Sequence, residues 1–365
     1  MNRRFHGSLR RLFGFTIIAV VLTAAVSPGQ AQAPARPKLE SEVVFAGYGG
    51  TFEKMTRQEL IPPFEKATGI KVTFVVGTAL SNFAKVQAAR NRPEIDVYWS
   101  NELTHAAGKH LGLYERLDPK VAINLAQVYD IARDPDNIGV VSSLIATGLH
   151  YNTKKLQEAG IPAPTSWNDL WNPRLKGKVA LYTFGIAYSQ DFLVLMAKLH
   201  GGSEDNVQPG LARIKQLRAN GNLVTFATTP AELDNLLVQG TAWITVNGSP
   251  RAYIQQGQGA PIDFAYPKEG AGFFANYFDV LRNAPHPNAA QAFVNYLIGE
   301  EAQAILSKAF YGPINKNVRL PDDIARRVPY GPQRIASLVR IDRHKMNQYL
   351  DAWTEVWNRE VEAKQ

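Results

Sequence analysis

Residues 43–55 read VVFAGYGGTFEKM. Val43 to Ala46 is a short apolar run of strand length. Gly47-Tyr48-Gly49-Gly50 interrupts it, and from Thr51 the pattern turns helical. The order apolar strand, glycine turn, helix predicts the first unit of an α/β sheet. It also raises a question, because three glycines at a strand-to-helix turn permit either a tight fold of the backbone or close approach of a ligand.

The same alternation continues outward. Phe52 to Ala67 reads as a helix with Leu60, Ile61 and Phe64 on one face, and Pro62-Pro63 must distort or split its hydrogen-bond ladder. Thr68-Gly69 closes it, and Ile70 to Val76 alternates as a second strand. Ser81-Asn82 reads as the cap of a helix through Phe83, Val86 and Ala89, and Asp96 to Trp99 as a third strand. Further strands are expected at 144–151, 178–183, 241–246 and 278–282. Helices are expected at 167–175, 190–199, 287–310 and 342–361. Strands alternating with helices predict a mostly parallel sheet with helices on its faces.

Residues 1–11 carry Arg3, Arg4, Arg10 and Arg11 and no acid, Leu12 to Val26 is apolar, and SPGQAQAPA follows. That order is a secretory leader, taken as residues 1–33, with Ala31, Ala33 and Ala35 all open as cleavage points. Arg10-Arg11 also fits a twin-arginine signal, although general secretion suits the leader better. The remaining chain of about 330 residues exceeds one ordinary core and predicts two lobes. The formal charge is +8, with four of the positive residues in the leader. The remainder is mildly basic, without the dense Lys/Arg surface of a nucleic-acid binder. The chain has no cysteine, which excludes disulfides, thiolate chemistry and a lipidated cysteine.

Enzyme motifs are weak. Gly47-x-Gly49 would need a glycine at position 52 to complete a dinucleotide fingerprint, and Phe52 stands there. No nucleophile elbow or P-loop occurs. His105 and His110 are five residues apart and face different sides of a helix. No cofactor or metal is expected. In contrast, strand after strand ends in small, polar or aromatic residues: Gly47–Thr51, Trp99–Glu102, Tyr182–Tyr188 and Asn247–Arg251. Ligands of open α/β sheets sit beyond the carboxyl ends of strands, so these four segments predict a cleft.

Taken together, PPFEKATGIKVTF, EIDVYWSN, GLYERLD, GLHYNTKKL, SWNDLWNPRLKGKVAL, YPKEGAGFF and NAPHPNAAQAFVNYLIGEEAQ resemble extracellular solute-binding proteins of ABC importers. The likeness covers about residues 42 to 318 and is nearest in character to the spermidine/putrescine-binding branch. It implies a two-lobed periplasmic-binding-protein type 2 fold with mixed sheets flanked by helices and a cleft closed by hinge motion. Lobe 1 would take residues 40–146 and 276–318, and lobe 2 residues 147–275. The crossovers would fall at Ile145–Tyr151 and near Phe273–Asp279, with 319–365 a helical tail on the lobes. It further implies a periplasmic monomer that hands a small molecule to a membrane permease. A ferric-iron carrier and an exported enzyme on the same fold are the alternatives.

Polyamine binders hold their ligand with carboxylates and aromatic faces. At the positions where that branch has acids, this chain aligns Asn276, Ala187 and Gln190. Phe274 and Val246 align with its tryptophans. Glu102 and Asp279 remain as acids, with Asp191 beside Gln190. The expected ligand-binding set is therefore Tyr48, Gly49, Gly50, Thr51, Trp99, Ser100, Asn101, Glu102, Tyr182, Tyr188, Gln190, Asn247, Ser249, Arg251, Phe274, Asn276, Tyr277 and Asp279. The Gly47–Thr51 backbone and Arg251 would serve an anionic group. The expected ligand is a small polar organic solute: polyamine-like, amino-acid-like or a carboxylate.

Overall fold

The structure is a computed structural model and describes residues 39–363. The expected leader lies outside the described residues. The first β-α-β unit comprises β1 (Glu42–Tyr48), α1 (Thr51–Met55), α2 (Ile61–Thr68) and β2 (Lys71–Gly77). Residues 56–60 between the two helices form one π turn. Pro62 and Pro63 follow it and lack the N–H groups that would bond back into residues 58 and 59, so the ladder is split where the sequence requires. Gly69 closes α2 in the left-handed region. α3 (Ala79–Ala88) starts earlier than expected. Its cap is Thr78, whose side chain accepts from the Ser81 N–H while Ser81 answers to the Thr78 N–H, so Ser81 is the return partner of a capping box and not the cap. Then come β3 (Val97–Asn101), α4 (Glu102–His110) and the long β4 (Val140–Asn152).

The second half runs α5 (Thr153–Glu158), β5 (Val179–Tyr182), α6 (Ala187–Leu199), α7 (Gln208–Ala219), β6 (Leu223–Ala227), α8 (Pro230–Val238), β7 (Ile244–Gly248), α9 (Ser249–Gly257) and β8 (Ile262–Ala265). The chain returns through β9 (Gly272–Val280) to α10 (Pro287–Leu297) and α11 (Glu300–Lys308). It ends in α12 (Asp322–Ala325), α13 (Pro332–Ala336) and α14 (Arg343–Trp357). Residues 167–175, expected as a helix, form two 3-10 turns. The expected helix at 287–310 is two helices, parted at Gly299.

The strand order is β2-β1-β3-β9-β4-β7-β5-β6, with β8 paired to β4. The pairs of β1 with β2 and β3, and of β5 with β6 and β7, are parallel. β9 and β4 are antiparallel to their neighbours, so the sheet is mixed rather than mostly parallel. One lobe gathers around β2-β1-β3 and the other around β7-β5-β6, with β4 and β9 running through both. Thr147 sits at the change-over: it is opposite Gly272 on β9 and Gly248 on β7. All thirteen residues of β4 are buried, as expected of a strand covered on both faces.

Among the described residues, three apolar cores result. One surrounds Phe45, Trp99, Leu144, Phe273 and Phe293. A second holds Trp167, Phe192, Leu195 and Ile244, and the tail adds Trp353, Trp357 and Val361 to it. A small third core centres on Phe83, Tyr98 and Tyr114. The end of the tail packs on the second core, where Trp357 meets Phe184 with ring centroids 5.0 Å apart, while Ile335 and Leu338 join the first.

Candidate ligand-binding cleft

The glycines of the opening turn have packing reasons. A Cβ at Gly47 would stand 2.8 Å from the Phe74 ring, and Gly50 holds φ 69°, which suits glycine. The turn thereby brings Tyr48 against Trp99 (centroids 5.6 Å) and Phe52 against Trp99 (5.0 Å). Phe52 also meets Tyr311 at 5.0 Å. Thr51 is the first residue of α1, which is only five residues long before the π turn.

β3 and β9 set the floor of the site by their register, which places Asn101 opposite Asn276. The Tyr48 hydroxyl donates to Asn276 Oδ1 at 3.5 Å. Asn101 caps α4 by accepting from the Thr104 N–H at 2.9 Å. From the second lobe, Tyr188 lies against Phe274 (5.5 Å) and Tyr182 (6.2 Å). Its hydroxyl occupies the space over Gly248, where a Cβ would come within 2.2 Å of it. Tyr48, Asn101 and Asn276 are thus brought together, with Phe274 and Tyr188 beside them on β9 and α6 and Trp99 as the wall behind Tyr48; Gly49 and Gly50 lie in the turn that follows Tyr48.

Other expected residues are engaged by protein partners. Ser100 donates to Asp279 Oδ2 at 2.6 Å, and His105 Nδ1 lies 2.8 Å from Asp279 Oδ1. Both oxygens of the buried Asp279 are therefore occupied, consistent with a hinge-side hydrogen bonder. The Tyr277 ring stacks on His105, with centroids 3.8 Å apart. Asn247 Nδ2 donates to the Tyr182 hydroxyl at 3.0 Å, and Ser249 Oγ accepts from the Ala146 N–H at 3.3 Å. Gln190 donates to the Phe184 carbonyl at 3.0 Å. Arg251 Nε is 2.7 Å from Asp234 Oδ2; burial opposes its charge, but Asp234 outweighs that and holds the guanidinium protonated.

The charged centre depends on a residue that the sequence did not single out. Arg343 opens α14 and reaches between the lobes. Its Nε donates to Glu102 Oε2 at 2.8 Å, and its Nη1 pairs with Asp191. Glu102 opens α4 of the first lobe, and Asp191 lies in α6 of the second. All three side chains are buried. Burial works against the arginine's charge, and the two carboxylates reverse that and raise its pKa. Burial also pushes the Glu102 carboxyl up, against the pull of Arg343. The guanidinium carbon stands 5.8 Å from the Phe274 ring centroid. No local pattern marks Arg343; only its distance from Glu102 in the folded chain reveals its role.

Two cavities flank this region. One of about 340 Å³ is lined by Phe52, Ile254, Phe310, Tyr311 and their neighbours. The other, of about 750 Å³, is lined by Glu102, His105, Tyr277, Arg340 and Arg343 among others. The first adjoins the aromatic face through Phe52, the second through Arg343. Among the described residues, no group of three His, Asp or Glu side chains is placed to hold a metal. No described helix is long and apolar enough to cross a membrane.

Lobes joined by through-running strands, with an aromatic and amide face at the strand ends, define a solute-binding protein of the periplasmic type. Residues 59–329 match the model of the bacterial extracellular solute-binding protein family, and the chain belongs to that family. Its function is that of the solute-binding component of an ABC transporter. A Haemophilus influenzae protein named spermidine/putrescine-binding periplasmic protein 1 is 26% identical over 341 residues, 88% of this chain and 89% of that one. A Salmonella typhimurium periplasmic protein, provisionally named for binding 2-aminoethylphosphonate, is 27% identical over 271 residues, 71% and 74% of the two chains. A crystal structure of an ABC transporter protein from Clostridium perfringens superposes with a TM-score of 0.75 at 23% identity, covering 87% of this chain and 99% of that one. The first two are named as periplasmic binding proteins and the third as an ABC transporter protein.

Proposed function

We propose that the chain works in the periplasm, delivered there by cleavage of residues 1–33, and captures a small anionic or zwitterionic organic solute for a membrane permease. Residues 40–146 with 276–318 form the first lobe and 147–275 the second, with the tail packed on the lobes. The lobes close on a solute held against Tyr48, Asn101, Tyr188, Phe274 and Asn276. The observation that carries the reading is the state of the acids. Glu102 and Asp191 are paired with Arg343, and Asp279 is occupied by Ser100 and His105. A polyamine needs uncompensated carboxylates at its ammonium ends, and the carboxylates at this cleft are already compensated. A zwitterion needs hydrogen-bond donors for its anionic end and an aromatic or amide wall; the facing amides of Asn101 and Asn276 supply neutral donors and Tyr48, Tyr188 and Phe274 the wall. The 2-aminoethylphosphonate relative supports the same class.

Isothermal titration of the exported chain against ω-amino acids, 2-aminoethylphosphonate, small carboxylates and polyamines tests this. One-to-one binding without consumption of ligand is expected for a member of the first three classes. Asn276→Ala, which removes an amide from the floor, should weaken that binding about tenfold or more, as loss of one or two buried hydrogen bonds does. Unchanged affinity in a folded Asn276→Ala variant would remove this face from the site.

A further inference from the structure

We propose that Arg343 is a built-in cation filling a seat made by Glu102 and Asp191, and that this seat accepts an alkylammonium or guanidinium ligand once the arginine is removed. Arg343 would then be the residue that makes this cleft reject polyamines. The inference rests on the cleft being the ligand site.

Glu102 and Asp191 come from facing helices of different lobes and converge on one guanidinium. Beside it lies the Phe274 ring, itself against Tyr188. Two carboxylates and an aromatic face are the parts from which cation sites are built. The cation is supplied from the tail, 241 residues from Glu102 in sequence, and not from either lobe. Its fit is also incomplete: Nη2 is buried and has no hydrogen-bond partner. Removing the arginine leaves two buried carboxylates that a soluble cation is suited to neutralise.

The test is Arg343→Met and Arg343→Lys in the full exported chain, titrated with agmatine and with putrescine. Unfolding midpoints are followed in parallel. Wild type and Arg343→Lys should show no dication response. Arg343→Met should unfold at a lower temperature, recover when agmatine or putrescine is added, and bind one of them at least tenfold more tightly than wild type does. A salt bridge that only holds the lobes together would lower the midpoint but give no recovery. If Arg343→Met does not fold, Arg343→Gln, which keeps a donor for either carboxylate, goes through the same titration with the same gain expected. A folded variant without that gain overturns the proposal, as does a wild type that binds dications equally well. The gain is read in the variant, so it stands or falls separately from whether wild type binds a zwitterion.

Discussion

His286 shows how a single residue ties pH to the fold. Its Nδ1 is 2.9 Å from the buried Asp96 Oδ2, and its Nε2 is 3.2 Å from Glu42. Burial opposes its charge, but Asp96 and Glu42 outweigh that and raise its pKa. A histidine whose folded pKa is raised stabilises fully below its unfolded value near 6.5, and the contribution fades as pH climbs through the folded value. His286→Asn should therefore cost more stability at about pH 5.5 than at about pH 8.5, measured by urea unfolding at both. Equal losses would mean that the ion pair contributes nothing. His150 is an opposite case: buried in β4 and donating to the Gly248 carbonyl at 3.0 Å, it is pushed down to about 3 by burial and stays neutral at physiological pH.

At the scale of elements, the parts legible in the sequence were those with a local pattern. Val43–Ala46, Leu144–Tyr151 and the Thr68-Gly69 stop announce themselves by run length and turn chemistry, and Pro62-Pro63 announces a broken helix. β8, four residues at Ile262–Ala265, carries no comparable period and exists because β4 offers it an edge. The strand ends were legible as a candidate cleft, but which side chains face it was not. Ser100 and Asp279 are 179 residues apart, and Glu102 and Arg343 are 241; such pairings follow from tertiary contact alone. The tail makes the same point. Its amphipathic pattern predicts a helix, but not that Trp357 would be fully buried against Phe184. Trp357→Ala should cost about 3–5 kcal/mol, as emptied aromatic core sites do. Denaturant unfolding checks this, and a loss below about 1 kcal/mol would mean the tail is only loosely docked.

The whole molecule is organised around β4 and β9, the strands common to both lobes, with Thr147 where their partners change. Closure of such lobes needs a ligand that binds the closed state better than the open one. Arg343 already links α4 to α6 across the gap, so part of the closed-state contact is supplied by the chain itself. Under the proposed function, the solute adds the remainder through the face of Tyr48, Tyr188, Phe274 and Asn276. The charge of the solute decides which ligand closes the lobes, and thermal unfolding reads it. Thermal unfolding of the exported chain is followed with 2-aminoethylphosphonate, ω-amino acids, small carboxylates, putrescine and spermidine in separate series. A ligand at 100 times its dissociation constant stabilises the folded state by about 2.7 kcal/mol, which moves the midpoint of a chain this size by several degrees. That shift is expected with an anionic or zwitterionic solute and none with the polyamines. A shift with putrescine or spermidine alone would contradict it.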